Sequence, residues 1–168
     1  MPFSAKAVAN EFINLAKQER RTLSPMQVLK LVYLAHGWYL AITGKPLLDE
    51  HIEAWRFGPV VPSIYHEFKK YGNGPIQAPA TTTSVVNNAG RLTLSLVPIE
   101  LCGEDSGLAK KIIREVWEKY KHLSAIQLSN FTHLPESPWS QTPNKEIMGT
   151  DIEDARIQQY FSSLIPSK

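Results

Sequence analysis

The chain has 168 residues, of which 43% are hydrophobic and 20% are charged. This length and composition predict one globular domain with its own hydrophobic core, and they exclude a disordered or coiled-coil chain. The formal net charge of +2 is too small to indicate nucleic-acid binding through bulk electrostatics.

Two helices are predicted in the first quarter of the chain. Apolar residues recur at helical spacing over residues 5–16, after Ser4 as a helix cap. Ser24 and Gln27 form a capping box, and Pro25 between them suits the first helical position. The second helix therefore begins at residue 25.

This second helix should be central. Its apolar residues, between 28 and 42, cover almost the whole circumference, as in a helix buried on all sides. Gly44 supplies the left-handed stop. Gly37 lies in the middle of the helix, where we expect it to let another backbone segment come close.

The middle of the chain predicts short elements. A strand is expected around residues 52–56 and a short helix from Pro62. Residues 78–88, within a variable loop at 75–90, are polar and read as a mobile insertion. Strict alternation over residues 91–97 predicts a half-buried strand, which residues 85–90 would complete as a hairpin.

The last third of the chain is helical. An apolar stripe over residues 108–120 predicts one helix, and Ser124 with Gln127 caps a second. Thr150 and Glu153 predict a third capping box and a final helix. The fold class is thus α+β, mostly α: about six helices with a small two- or three-stranded β element.

Several sequence features that are missing indicate the cellular compartment and the cofactors that we expect. The single cysteine, Cys102, excludes an internal disulfide framework and a cysteine-cluster zinc site. No secretory leader is read at the N-terminus, and the longest apolar stretch is interrupted by Lys30 and His36. We expect a cytoplasmic protein with no membrane contact, no metal and no cofactor.

No catalytic motif for phosphate binding, acyl transfer or metal hydrolysis occurs, so no catalytic residues and no enzyme are predicted. A hydrolase built on His36, His51 and Glu53 is a weaker alternative. His36 lies within the predicted central helix, where a core histidine bonded to a neighbour is the simpler interpretation.

Residues 108–132 also have a helix–turn–helix pattern, which favours a DNA-binding regulator of its own operon as an alternative function. Lys110 and Arg114 would face DNA from the first helix. Gln127 and Asn130 would reach base edges from the second. Two antiparallel helices joined by a tight turn are also common without DNA.

Aromatic residues are dense between positions 33 and 65, and large rings with polar tips are typical interface anchors. Ordinary core packing is the competing interpretation. The partner-binding residues predicted from this block are Tyr33, His36, Tyr39, Trp55, Phe57 and Tyr65.

The order and spacing of several short pieces resemble the Panacea antitoxin domain, the SocA-like family also met in prophage- and genomic-island-associated proteins. The resemblance covers about residues 8–161, and residues 78–90 have no counterpart in it. The matching pieces are Leu31-Val-Tyr33, Ala35-His36-Gly37, Leu47, Ala54, Gly58-Pro59-Val60, Tyr65, Trp117, Tyr120, Leu123-Ser124, Leu128-Ser129, Thr132-His133 and Pro138-Trp139.

The resemblance implies a single domain over residues 1–168, with a core at about 4–165. It implies a bacterial antitoxin that is not an enzyme and that neutralises a cognate toxin, encoded beside it, by direct protein–protein contact. One family member delivers its toxin to an AAA+ protease, so sequestration and delivery are both open. The oligomeric state is open as well.

Overall fold

Residues 1–167 are described here from a computed structural model of the chain. Helix α2, Pro25–Thr43, is the central element, and residues 28–37 are buried without interruption. The Ser24 side chain accepts the Gln27 backbone N–H, and the Gln27 side chain accepts that of Ser24. Gly44 ends the helix with a φ of 71°. The predicted central helix and both of its ends are therefore confirmed.

The other helices surround α2, and most of them pack directly against it. They are α1 (Ala5–Gln18), α3 (Pro62–Phe68), α4 (Ser106–Tyr120), α5 (Ala125–Thr132), α6 (Pro138–Gln141) and α7 (Asp154–Ser163). The mostly helical α+β class is confirmed. Six helices were predicted, and α6 is a seventh in residues 1–167, a single turn that we did not predict from the sequence. No helix in these residues is long and apolar enough to cross a membrane.

Helix α7 packs closely on α2 at Gly37. A Cβ atom at this position would lie 2.3 Å from Cε2 of Phe161, so only glycine leaves room for the ring. The Phe161 ring also makes edge contacts with Tyr33 and Trp38, at centroid distances of 5.8 and 5.4 Å. The close approach predicted at Gly37 exists, but a side chain rather than a backbone segment makes it.

The first sheet is a short antiparallel pair, β1 (Glu53–Trp55) and β2 (Gly58–Val60). The free edge of β1 is bridged by the segment before α7, through bonds of 2.8 Å from Ala54 N to Thr150 O and from Ile152 N to Ile52 O. This pairing holds the chain extended up to Glu153, and no side chain caps α7. The third capping box was therefore a wrong prediction.

The second sheet is an antiparallel hairpin of β3 (Thr81–Asn88) and β4 (Arg91–Pro98). The predicted hairpin is therefore confirmed, but its first strand begins at Thr81, so the segment predicted as a loop at 75–90 contains a full strand. β4 was predicted to be half-buried, but the side chains on both faces of the hairpin are exposed or nearly so. The β4 side chains are exposed because no other strand or helix in residues 1–167 covers either face of the hairpin, which is a matter of tertiary structure.

Candidate partner-binding site

The six predicted partner-binding residues divide between the core and the surface. Tyr33, His36 and Tyr39 are at most 3% exposed. They lie on α2, which other elements surround, so these three side chains do not belong to an exposed binding surface. Trp55, Phe57 and Tyr65 are partly or largely exposed, and partner contact by these three stays a prediction.

His36 joins three parts of the chain from inside the core. Its Nδ1 accepts the Leu48 backbone N–H at 3.3 Å, so this nitrogen carries no proton. Its Nε2 therefore donates to Oδ1 of Asp154, 2.8 Å away, at the start of α7. The simpler interpretation, a core histidine bonded to its neighbours, describes this side chain.

Lys30 is fully buried on α2 and holds the β1–β2 hairpin. Its Nζ donates to the backbone carbonyls of Phe57 at 2.7 Å and Pro59 at 3.2 Å. No carboxylate pairs with this amine in residues 1–167, and burial lowers its pKa to about 7. The bonds to two carbonyls are what allow a lysine in the core.

Gly58 fits into a tight space beside Lys30. Its φ is 104°, and a Cβ atom there would lie 2.7 Å from Nζ of Lys30 and 2.9 Å from Cε1 of His133. The His133 ring packs on Trp139 at 4.2 Å, and Trp139 Nε1 donates to the Trp55 carbonyl at 2.7 Å. Helix α2 and the α5–α6 region therefore fix the backbone of this hairpin from two sides.

The tip of the fixed hairpin and helix α3 present the aromatic patch, defined here as Trp55, Phe57 and Tyr65. The Trp55 and Tyr65 rings meet edge to face at 4.9 Å, and Trp55 Nε1 donates to Oε2 of Glu53 at 2.6 Å. Phe57 is 60% exposed although its carbonyl is held by Lys30. A rigid backbone thus displays an exposed ring, which is a favourable geometry for an interface anchor.

A larger apolar surface lies on the β3–β4 hairpin. Opposite residues in the antiparallel register share a face, and Val85 lies opposite Leu94. The alternation places Leu92, Leu94 and Leu96 on this face, each at least 70% exposed. We call these four residues, Val85, Leu92, Leu94 and Leu96, the apolar strip.

The base of the long hairpin is held by one buried side chain on α1. Nδ2 of Asn10 donates to the carbonyls of Ala80 and Ile99 at 2.8 and 2.9 Å, and its Oδ1 accepts the Ala80 N–H at 2.8 Å. Ile99 N also donates to the Ala80 carbonyl. The hairpin therefore leaves the body from a fixed base.

The four predicted DNA-facing residues are exposed, and DNA contact by them stays a prediction. Lys110 lines a cavity between α1 and the base of the long hairpin, and Arg114 follows one turn later on α4. Gln127 uses its side-chain oxygen to accept the Ser124 N–H in the capping box of α5. Asn130 lies on α5 with its side chain exposed. Nothing in this arrangement favours DNA binding.

The residues of the alternative hydrolase are each engaged elsewhere. His36 is buried against Asp154, Glu53 accepts from Trp55, and His51 lies 3.5 Å from Asp151 at the surface. Residues 1–167 contain no group of three His, Cys, Asp or Glu side chains placed to hold a metal ion.

Two features escaped the sequence interpretation, the role of Lys30 and the exposure of the β4 leucines, and only the first has a signal in the sequence. Lys30 is a lone charge in an otherwise apolar helix, and such a charge has to find buried acceptors. The leucine alternation in β4 was recognised, but a two-residue period does not say whether anything covers its apolar face.

The chain matches a family model described as "Antitoxin SocA-like, Panacea domain" over residues 28–140. It is also 32% identical over 142 residues to "Antitoxin SocA" of Caulobacter vibrioides (strain NA1000 / CB15N), a match that covers 83% of this chain and 70% of that protein. No solved structure matches it. The matched region contains Lys30, Gly58, His133 and Trp139, which together hold the β1–β2 hairpin. The chain belongs to the family of SocA-like antitoxins that carry the Panacea domain.

Proposed function

We propose that this protein neutralises a cognate protein toxin by binding it directly, in the cytoplasm and without catalysing a reaction. The observation that carries the proposal is the family match, which spans α2, both hairpins and helices α4 and α5. Exposed apolar side chains on the two hairpins supply a physical means of binding a protein partner.

The proposed mechanism is stoichiometric. A binding protein protects only when its concentration reaches that of the toxin, whereas an enzyme that modifies the toxin protects at a small molar fraction. Delivery of the bound toxin to an AAA+ protease is a further step of the same mechanism. It would lower the amount of toxin, and sequestration alone would not.

The experiment expresses each gene product encoded beside this gene alone and together with this protein. A product that stops growth when expressed alone, and is tolerated on co-expression, is the toxin. We expect the toxin to co-purify with this protein. We expect growth to be protected from the toxin only when the two proteins are present near a 1:1 molar ratio. If no neighbouring product stops growth, or if the toxin fails to bind, the proposal is wrong.

The same assay tests the aromatic patch and protease delivery. Phe57→Ser removes an exposed ring without disturbing the carbonyl that Lys30 holds. If the patch contacts the toxin, co-purification should weaken. A toxin half-life that falls on co-expression in a normal host, but not in one lacking AAA+ proteases, would support delivery.

A further inference from the structure

We infer that the apolar strip of the β3–β4 hairpin is the surface that docks on the toxin, and that it fits an uncharged apolar groove of that protein. The inference rests on the function proposed above. It goes further by naming the surface and the chemistry of the surface that receives it.

The apolar side chains of the hairpin lie mostly on one of its two faces. The register places three leucines and a valine on the face of the apolar strip, beside Thr81, Thr83 and Asn87. The opposite face carries only two apolar residues in positions 81–98, Val86 and Val97, among Thr82, Ser84, Asn88, Arg91, Thr93 and Ser95. Antiparallel sheets with this alternation have one face covered and one face in water. Here the apolar face is bare, with Leu94 76% exposed. An isolated two-stranded hairpin is only marginally stable in water, so a cover that binds this face would also stabilise it.

The apolar strip continues into a cavity in the body of the protein. Strand alternation places Pro98 on the same face as Leu96, and Pro98 lines a cavity of about 360 Å³. Pro79, Ile13 and Leu101 line the same cavity beside the base of the hairpin, and its polar rim includes the charged residues Glu11, Lys17, Glu100 and Lys110. A partner on the apolar strip therefore has a continuous surface along which it can reach the body.

The long hairpin carries almost no charge. Arg91, next to the turn, is the only charged residue in positions 81–98. An unpaired charge buried against this face would lose its hydration without gaining a partner, which is costly. The groove that covers the apolar strip must therefore be apolar and uncharged.

The area of the strip argues against a second copy of this chain as the cover. With standard strand rise and spacing, the face is about 27 Å long and about 10 Å wide. Two such faces packed together bury roughly 500–600 Å², below the about 1,000 Å² expected of a stable interface. A toxin that extends from the strip into the cavity at its base covers more of the protein than another hairpin does.

The test uses the full-length protein and the toxin identified by growth arrest. Leu94→Lys places a charge in the apolar strip, and Thr93→Lys places the same charge one residue away on the opposite face. Leu94→Met keeps the strip apolar. We expect Leu94→Lys to weaken toxin binding by about 100-fold or more and to abolish growth protection. Thr93→Lys and Leu94→Met should stay within about threefold of the unsubstituted protein.

A shortened protein provides a second test. Replacing residues 83–96 by Asn-Gly joins Thr82 to Val97, which are already paired across the hairpin and of which Val97 has the N–H that closes the turn. It leaves the bonds of Asn10 to Ala80 and Ile99 in place. We expect this protein to keep its thermal unfolding transition and to lose toxin binding.

Three results would overturn the inference while the proposed function stands. The first is normal toxin binding by Leu94→Lys and by the shortened protein, with or without a loss in Phe57→Ser. The second is an equal loss in Leu94→Lys and Thr93→Lys. The third is a free protein that is a dimer in light scattering and that Leu94→Lys converts to a monomer, because a second copy then covers the strip. Failure of the unsubstituted protein to bind the toxin would instead overturn the proposed function.

Discussion

The two hairpins of this protein are stabilised in opposite ways. The β1–β2 hairpin has three residues in each strand, yet Lys30, His133 and Trp139 hold its backbone from α2 and from the α5–α6 region. The β3–β4 hairpin has eight residues in each strand, and only its base is held, by Asn10. Strand length therefore does not indicate how firmly a hairpin is fixed, because contacts with the core decide it.

The difference also assigns different tasks to the two hairpins. The short one is part of the core and displays the aromatic patch from a fixed backbone. The long one contributes little to the core and leaves its leucines to the solvent. Substitutions in the short hairpin should therefore change the stability of the whole protein, whereas substitutions in the long one should change binding.

The largest expected effect is that of Gly58→Ala. The new Cβ would meet Nζ of Lys30 at 2.7 Å, and the φ of 104° is strained for alanine. We expect a loss of about 3 kcal/mol or more in the free energy of unfolding, measured by urea denaturation. The control is Gly90→Ala in the turn of the long hairpin, where φ is 84° and nothing lies within 4 Å. It should cost only about 1–2 kcal/mol, from backbone strain alone. Equal losses of unfolding free energy in Gly58→Ala and Gly90→Ala would contradict the view that the core holds only the short hairpin.

Asn10→Ala should have the next largest effect. It removes three hydrogen bonds at the base of the long hairpin and leaves the buried Ala80 N–H without its acceptor. We expect a loss of about 2–3 kcal/mol in urea denaturation, with faster amide hydrogen exchange in β3 and β4. Asn14→Ala, at an exposed position of the same helix, is the control and should change stability by less than about 0.5 kcal/mol. Unchanged exchange in the hairpin would show that Asn10 does not hold its base.

The pH dependence of stability tests the burial of Lys30. Burial lowers its pKa from 10.5 to about 7, so between these values the unfolded chain binds a proton that the folded chain does not. The free energy of unfolding should therefore rise with pH above 7, by at most about 1.4 kcal/mol per pH unit.

The measurement is urea denaturation between pH 7.5 and 9.5. This range lies below the titration of the tyrosines whose pKa values are raised by burial, Tyr33, Tyr39, Tyr120 and Tyr160. The rise should be absent in Lys30→Met and present in Lys110→Met, a substitution at an exposed position. If the free energy of unfolding of Lys30→Met still rises with pH, another titratable group causes the rise.

The smallest expected effect on stability is that of Leu94→Lys. The side chain is 76% exposed, so the free energy of unfolding should change by less than about 0.5 kcal/mol. Urea denaturation of the free protein checks this value. A loss above about 2 kcal/mol would mean that the apolar strip packs on the protein itself.

Local sequence signals predicted best the helices that have clear capping and stop residues. The capping boxes at Ser24 and Ser124 and the stop at Gly44 placed the ends of α2 and the start of α5 correctly, because caps act over three or four residues. Thr150 failed by the same rule, since pairing with β1 holds its backbone extended. A capping signal is therefore reliable only where no distant strand competes for the backbone.

The sequence by itself determined the mostly helical class, the central helix and the family, because each follows from local caps, from apolar periodicity or from the order of short motifs. Only the tertiary structure decided which aromatic residues are accessible, which carbonyls receive Lys30 and that the leucines of β4 are bare. The physical reason is that burial and hydrogen-bond partners depend on elements distant in the chain, and a periodic pattern carries no record of what packs against it.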